Sequence, residues 1–209
     1  MKQLLTIVVL VLLSMASTQT IFADSYGNEK KTEFALRFPV GGYSFSDIDN
    51  DDFYGDDAAA FSLDFTFAGD NPNISWRIAL DGVSSSADIY EDSNNYVTSD
   101  LTIGGFSGAV VFHNDRKEKI GVYGGIGLGF YNVTEDGSGV IGSTPFIIDG
   151  KGSGTGVNLF GGVNVALSDS FSLGLEYFIR NLKVADMGYG YEDVDYGGQS
   201  LSLTLGFSF

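Results

Sequence analysis

Apolar and polar residues alternate along most of this chain. Phe34, Leu36, Phe38 and Val40 alternate with smaller or polar residues, and so do Phe61, Leu63, Phe65 and Phe67. Ile74, Trp76, Ile78 and Leu80 repeat the pattern after the break Gly69-Asp70-Asn71-Pro72-Asn73. A period of two puts one set of side chains on each face of a β-strand. These three strands are predicted near 33–40, 59–68 and from 74 onward. A fifth is predicted over 120–133, with Ile120, Val122, Ile126, Leu128 and Phe130 on one face. Its other face carries Gly121, Tyr123, Gly125, Gly127, Gly129 and Tyr131. A sixth near 156–167 groups Val157, Leu159, Val163, Val165 and Leu167, and a seventh over 171–182 groups Phe171, Leu173, Leu175, Tyr177 and Ile179. The eighth is Leu201-Ser202-Leu203-Thr204-Leu205-Gly206-Phe207-Ser208-Phe209. A fourth, near 101–112, changes phase: Leu101 and Ile103 are odd, whereas Phe106, Val110 and Phe112 are even. The pair Gly104-Gly105 is read as a bulge that switches the face.

The connections alternate in length. Short ones fall at 69–73, 113–119 and 168–170, and long ones at about 41–58, 83–99, 134–155 and 183–199. Short turns at one end and long loops at the other are the pattern of transmembrane barrels, whose longer loops lie outside the cell. Strands of about 9–11 residues suit a tilted membrane crossing. The oily faces then point to lipid and the polar faces inward. The prediction is an all-β protein, an eight-stranded antiparallel up-and-down transmembrane β-barrel.

The first residues fit export. Lys2 precedes an apolar run, Leu4 to Leu13, broken only by Thr6, and Ile21-Phe22-Ala23 precedes Asp24. This reads as a cleavable signal peptide over 1–23, with a second cut site after Ala16. The run is too short for a spanning helix, which needs about 20 residues. The barrel domain is then 24–209. With 29 Gly, 17 Phe, 11 Tyr, 3 Pro and no Cys, the composition suits many strands and tight turns and excludes disulfides and thiol chemistry. The net charge of −16 argues against nucleic acid as a partner, because phosphates are repelled.

Charge also separates by position. The predicted outer loops hold Asp47, Asp49, Asp51, Asp52, Asp56 and Asp57, then Asp88, Glu91 and Asp92, then Glu135, Asp136 and Asp149, then Asp186, Glu192, Asp193 and Asp195; the turn at 113–119 holds Arg116, Lys117 and Lys119. On the predicted inward faces stand three bases, Arg37, Arg77 and Arg180, and three acids, Asp64, Asp81 and Glu176. An eight-stranded barrel is just wide enough for side chains to fill, and buried charges there need partners. These six are read as an internal ion-pair network that plugs the barrel.

The chain resembles the small eight-stranded outer-membrane barrels, the OmpA transmembrane domain and OmpX group. The resemblance rests on Val122-Tyr123-Gly124-Gly125-Ile126-Gly127-Leu128-Gly129-Phe130, on Leu173-Gly174-Leu175-Glu176-Tyr177 and on the ending Leu205-Gly206-Phe207-Ser208-Phe209. It implies the bacterial outer membrane, lipid and lipopolysaccharide as surroundings, and structural, adhesive or minor pore roles. It also implies that Leu205, Phe207 and the terminal Phe209 form a signal read by the barrel-assembly machinery. A monomer without cofactor or catalysis is expected.

Other candidates are weaker. His113, the single histidine, is predicted in a solvated periplasmic turn rather than as a catalytic base. Asp47, Asp49 and Asp51 begin like a calcium loop, a weak divalent-cation candidate, but Asp52 stands where glycine is needed and Ala58 where a bidentate glutamate is needed. Tyr90, Tyr96, Tyr189, Tyr191 and Tyr196 are a candidate recognition surface. The functional expectation is a non-enzymatic barrel that holds four acidic loops at the cell surface. The alternative is a narrow channel for ions or very small solutes.

Overall fold

The structure, a computed structural model, describes residues 32–46, 54, 58–92, 95–114, 119–185, 187 and 193–208. Nine strands account for nearly all of them: β1 (Glu33–Phe45), β2 (Ala59–Ala68), β3 (Ile74–Asp92), β4 (Asn95–His113), β5 (Ile120–Ile141), β6 (Thr144–Ala166), β7 (Phe171–Ala185), β8 (Val194–Asp195) and β9 (Gly198–Ser208). Every neighbouring pair is antiparallel, and β1 pairs with both β2 and β9 while β7 pairs with both β6 and β9. The sheet is therefore closed, and no barrel strand is left as an edge at membrane level. β8 continues β9: Arg180↔Gly198 and Lys183↔Asp195 are pairs of one register, interrupted at Tyr196-Gly197. The wall is thus an eight-stranded barrel. Among the described residues no helix is long and apolar enough to cross a membrane.

Below the outer rim the wall has oil outside and polarity inside. Trp76, Ile78 and Leu80 on β3 are 57%, 52% and 53% exposed, while Arg77 and Asp81 between and beside them are buried. Only lipid makes such an outer surface stable in a closed barrel.

The bulge expected in β4 is absent. β4 runs in one continuous register with β5 from Asn95↔Ile141 to His113↔Tyr123, straight through Gly104-Gly105. Phe106 and Phe112 point out, Leu101 and Ile103 are fully buried inside, and no side chain changes face. What changes is the surroundings. Above the row Gly82↔Gly104↔Asn132, the outer positions become Ser84, Ser86, Asp88, Thr102, Asp100 and Asp136. The inner positions there become Val83, Ala87, Leu101, Ile103, Val133, Leu182 and Val184. Water has replaced lipid outside, so the interior takes the apolar residues, as in a soluble protein.

The long loops predicted at 83–99 and 134–155 are mostly strand. β3 and β4 extend to a hairpin at Asp92 and Asn95, and β5 and β6 to a hairpin at Ile141 and Thr144. The second turns on Gly142 and Ser143, both with positive φ (56° and 75°), the backbone of a two-residue type I′ turn. The loop at 41–58 is shortened by β1, which reaches Phe45 after a register shift between Pro39 and Tyr43, and the loop at 183–199 is shortened by β7, β8 and β9.

Candidate functional site

The barrel interior is built in layers, each supplied by alternate residues of facing strands. Arg37 of β1 lies at the centre. Its Nη1 donates to Glu176 Oε1 and its Nη2 to Asp64 Oδ1, and Nη2 also reaches Ser62 Oγ at 2.9 Å. Glu176 uses its second oxygen to accept from Arg77 Nη1 at 2.8 Å. One carboxylate thus bridges two guanidiniums from β1 and β3. Asp81 lies a layer higher. It accepts from Ser62 at 2.8 Å, Ser107 at 2.9 Å and Tyr131 at 3.3 Å. Its oxygens stand 3.9 Å from Arg37 and 4.0 Å from Arg180.

The structure therefore brings all six predicted charges into one cluster, and each of their side chains is at least nine-tenths buried. Aromatic rings cover the guanidiniums. Arg77 lies 4.1 Å from the Phe160 ring centre and 5.5 Å from Tyr123; Arg180 lies 4.2 Å from Tyr131 and 5.3 Å from Phe178. A desolvated cation over a ring gains up to about 2 kcal/mol. These rings, with Ser62, Ser107 and Asn158, are the part that sequence reasoning missed. Their signal was inward parity opposite a charge. The glycines of β5 make room for them: a Cβ on Gly129 would lie 2.5 Å from the Tyr131 ring, and one on Gly125 would overlap Phe160.

Above the charges sits an apolar layer of Tyr43, Phe45, Val83, Leu101, Ile103, Val133, Leu182, Val184, Met187 and others. It is clasped by Tyr54, whose hydroxyl meets Glu135 Oε1 at 2.5 Å and Ser99 at 2.7 Å while its carbonyl accepts from Ser85 at 2.6 Å. Burial, reinforced by the hydrogen bond to Glu135, holds the Tyr54 hydroxyl well above its ordinary pKa. Tyr196 donates to the other oxygen of Glu135 at 3.2 Å and is buried. Tyr196 is therefore a packing residue, not part of a recognition surface. Tyr90 and Tyr96 are register partners in β3 and β4, and Tyr189 and Tyr191 lie outside the described residues. Between the charge cluster and the apolar layer a cavity of about 20 Å³ remains, lined by Arg37, Ser62, Asp81, Arg180, Ser200 and Ser202 among others. That is room for about one water molecule.

His113 is not in a solvated turn. It ends β4, half-buried, with Nε2 2.8 Å from Ser75 Oγ and Nδ1 3.1 Å from the Asn114 carbonyl. The spacing is that of a nucleophile and base, but Ser75 is 0% exposed, so no substrate reaches its hydroxyl here. Leu205 and Phe207 lie on the outer face of β9. Phe207 sits against Phe171 at 5.2 Å and Phe34 at 6.4 Å, and Phe209 lies outside the described residues. Asp47, Asp49 and Asp51 also lie outside them. Among the described residues no three His, Asp or Glu side chains are placed to hold a metal ion.

Residues 6–209 match the family model described as the outer membrane protein beta-barrel domain. The chain belongs to this family. It is accordingly a small outer-membrane β-barrel of the OmpA/OmpX-like type. Comparison with curated proteins returned no match. Among solved structures, it is similar to the N-terminal β-barrel domain of Pseudomonas aeruginosa OprF, at 15% identity and TM-score 0.47 over 86% of this chain and 98% of that one. It is similar to Ail, the attachment invasion locus protein of Yersinia pestis, at 13% identity and TM-score 0.49 over 87% and 99%. It is also similar to OprG of Pseudomonas aeruginosa, at 11% identity and TM-score 0.47 over 86% and 96%.

Proposed function

We propose that this barrel is a closed, non-enzymatic scaffold that carries an acidic β-structured surface outside the cell. The observation that carries the reading is the filled interior. A charge cluster and an apolar layer lie in series across the lumen, with room for about one water between them. An ion crossing it must displace buried side chains from both layers. Of the acids predicted in outer loops, Asp88, Glu91 and Asp92 fall on β3, Glu135 and Asp136 on β5, Asp149 on β6 and Asp195 on β8, whereas Asp47, Asp49, Asp51, Asp52, Asp56, Asp57, Asp186 and Glu192 lie outside the described residues.

In this reading residues 1–23 are removed on export from the cytoplasm of a Gram-negative cell. Leu205, Phe207 and Phe209 are recognised during assembly. The mature monomer sits among lipopolysaccharide, whose phosphates share divalent cations with its acids. Planar-bilayer recording on the refolded protein tests the closed state. Silence at moderate voltage is expected; steady unit conductance would instead establish the narrow-channel alternative.

A further inference from the structure

The three interior guanidiniums are not equally provided for. Arg37 donates to Glu176, Asp64 and Ser62, and Arg77 donates to Glu176. Arg180 of β7 has a single carboxylate near it among the described residues, Asp81 at 4.0 Å, beyond hydrogen-bond reach. Its side chain is 3% exposed, and its Nε and Nη1 have no hydrogen-bond partner. The ring centres of Tyr131, Phe178 and Tyr43 stand 4.2, 5.3 and 5.9 Å from its guanidinium carbon. A ring face attracts the charge but leaves the N–H groups in the guanidinium plane unmet. A buried donor without an acceptor is costly, and native interiors satisfy nearly all of them from the chain or from something bound.

There is a place for the missing acceptor. Arg180 lines the cavity of about 20 Å³ between the charge cluster and the apolar layer. Arg37 lines it too, and its Nε also lacks a partner. Ser200 and Ser202 of β9 are further parts of the lining. A serine hydroxyl rotates to donate wherever an acceptor stands. The charged acceptor in the lining is Asp81, whose oxygens already accept from Ser62, Ser107 and Tyr131. The cavity is therefore rich in donors and short of free acceptors. A water placed there brings two hydrogens that need acceptors of their own. A monatomic anion accepts from several donors at once and brings none.

We infer that this cavity binds one halide-sized anion, held by Arg180, Arg37 and the hydroxyls of Ser200 and Ser202. Asp81 is the repulsive neighbour, and three hydroxyls already draw on its charge. The ligating residues come from β1, β7 and β9, and β9 pairs with both of the others. The site therefore exists only once the last strand has paired with the first, so the anion binds the closed barrel and not the unfolded chain. The inference does not depend on what the outer surface does.

The test uses the full barrel, refolded from urea into lipid vesicles. Bromide is raised at constant ionic strength against gluconate, which is too large for the cavity. A ligand that binds only the folded state raises the folding equilibrium constant in proportion to its concentration, once that exceeds Kd. A rise of about tenfold for each tenfold rise in bromide is expected in that range. In Arg180→Met the dependence is expected to vanish. Should that variant not fold, Ser202→Thr serves, because its added methyl takes up the space of the anion and the same loss is expected. Crystals of protein refolded in bromide then locate the ion by anomalous scattering, with one peak expected in the cavity beside Arg180. A cavity that holds water and no bromide, bromide peaks elsewhere only, or a bromide dependence equal in the wild type and the folded variant overturns the inference.

Discussion

Glu176→Gln is the substitution that probes the interior most sharply. Glutamine keeps the shape and one acceptor oxygen but removes the charge that bridges Arg37 and Arg77. Arg37 keeps Asp64 and Ser62. Arg77 keeps only the faces of Phe160 and Tyr123 among its strong contacts, and no other carboxylate stands within ion-pair distance of it among the described residues. Stranding a buried charge costs about 3–5 kcal/mol, whereas removing both members of a pair is often near neutral. Glu176→Gln is therefore expected to lower stability by about 3–5 kcal/mol, and adding Arg77→Met to that variant to recover about 2 kcal/mol or more. The assay is urea unfolding in lipid vesicles, followed by heat-modifiable gel mobility and by the fluorescence of Trp76, the single tryptophan. A loss below about 1 kcal/mol, or strict additivity of the two substitutions, would refute the network as a linked unit.

Two further outcomes follow from the same packing. Gly129→Ala drives a methyl into the Tyr131 ring and is expected to cost about 1–3 kcal/mol, whereas Gly108→Ala, with nothing within 4 Å on the lipid face, is expected to be tolerated in the same unfolding assay. Tyr54 has a folded pKa above its unfolded value, so its neutral form supports the clasp fully below about pH 10 and that support is lost as pH rises beyond it. Amide exchange around Ser85 and Ser99 is expected to quicken above about pH 10 in the wild type, and Tyr54→Phe should remove that alkaline step; an unchanged step in the variant would exclude Tyr54 as its source.

Much of this barrel was legible because lipid imposes a simple rule. Where the outer surface is hydrocarbon, Trp76-Arg77-Ile78 or Leu175-Glu176-Tyr177 states both the strand and its inward residue. The rule stops at the rim. Alternation reports that two faces differ, not which one is inside. Leu101 and Ile103 suggest a bulge only if every oily residue must face lipid. The adjacent β3 carries the same inversion in Val83 with Ser84, and β7 shows it in Leu182 with Lys183, where Leu182 packs in the same apolar layer. The strand extensions were hidden for a related reason. Segments such as Thr134–Ile141 and Thr144–Ser153 are rich in Gly, Ser and Asp, which read as loop. They are strands because β4, β5 and β6 satisfy one another's backbones in an unbroken register. The charges themselves were visible, but not the rings that cover them, because aromatic residues on an inward face carry no periodic mark of their neighbours across the lumen.

Lipid covers one face of this wall up to the Gly82–Gly104–Asn132 row, and water covers the same face above it. The chain has no native cysteine, so a single-cysteine spin-label scan along β4 reads this directly. Labels at 106, 110 and 112 should respond to oxygen dissolved in the bilayer, labels at 98, 100 and 102 to a water-soluble nickel chelate, and labels at 101 and 103 to neither. Lipid contact at 101 or 103, or shielding of 106 and 112 from both reagents, would contradict it.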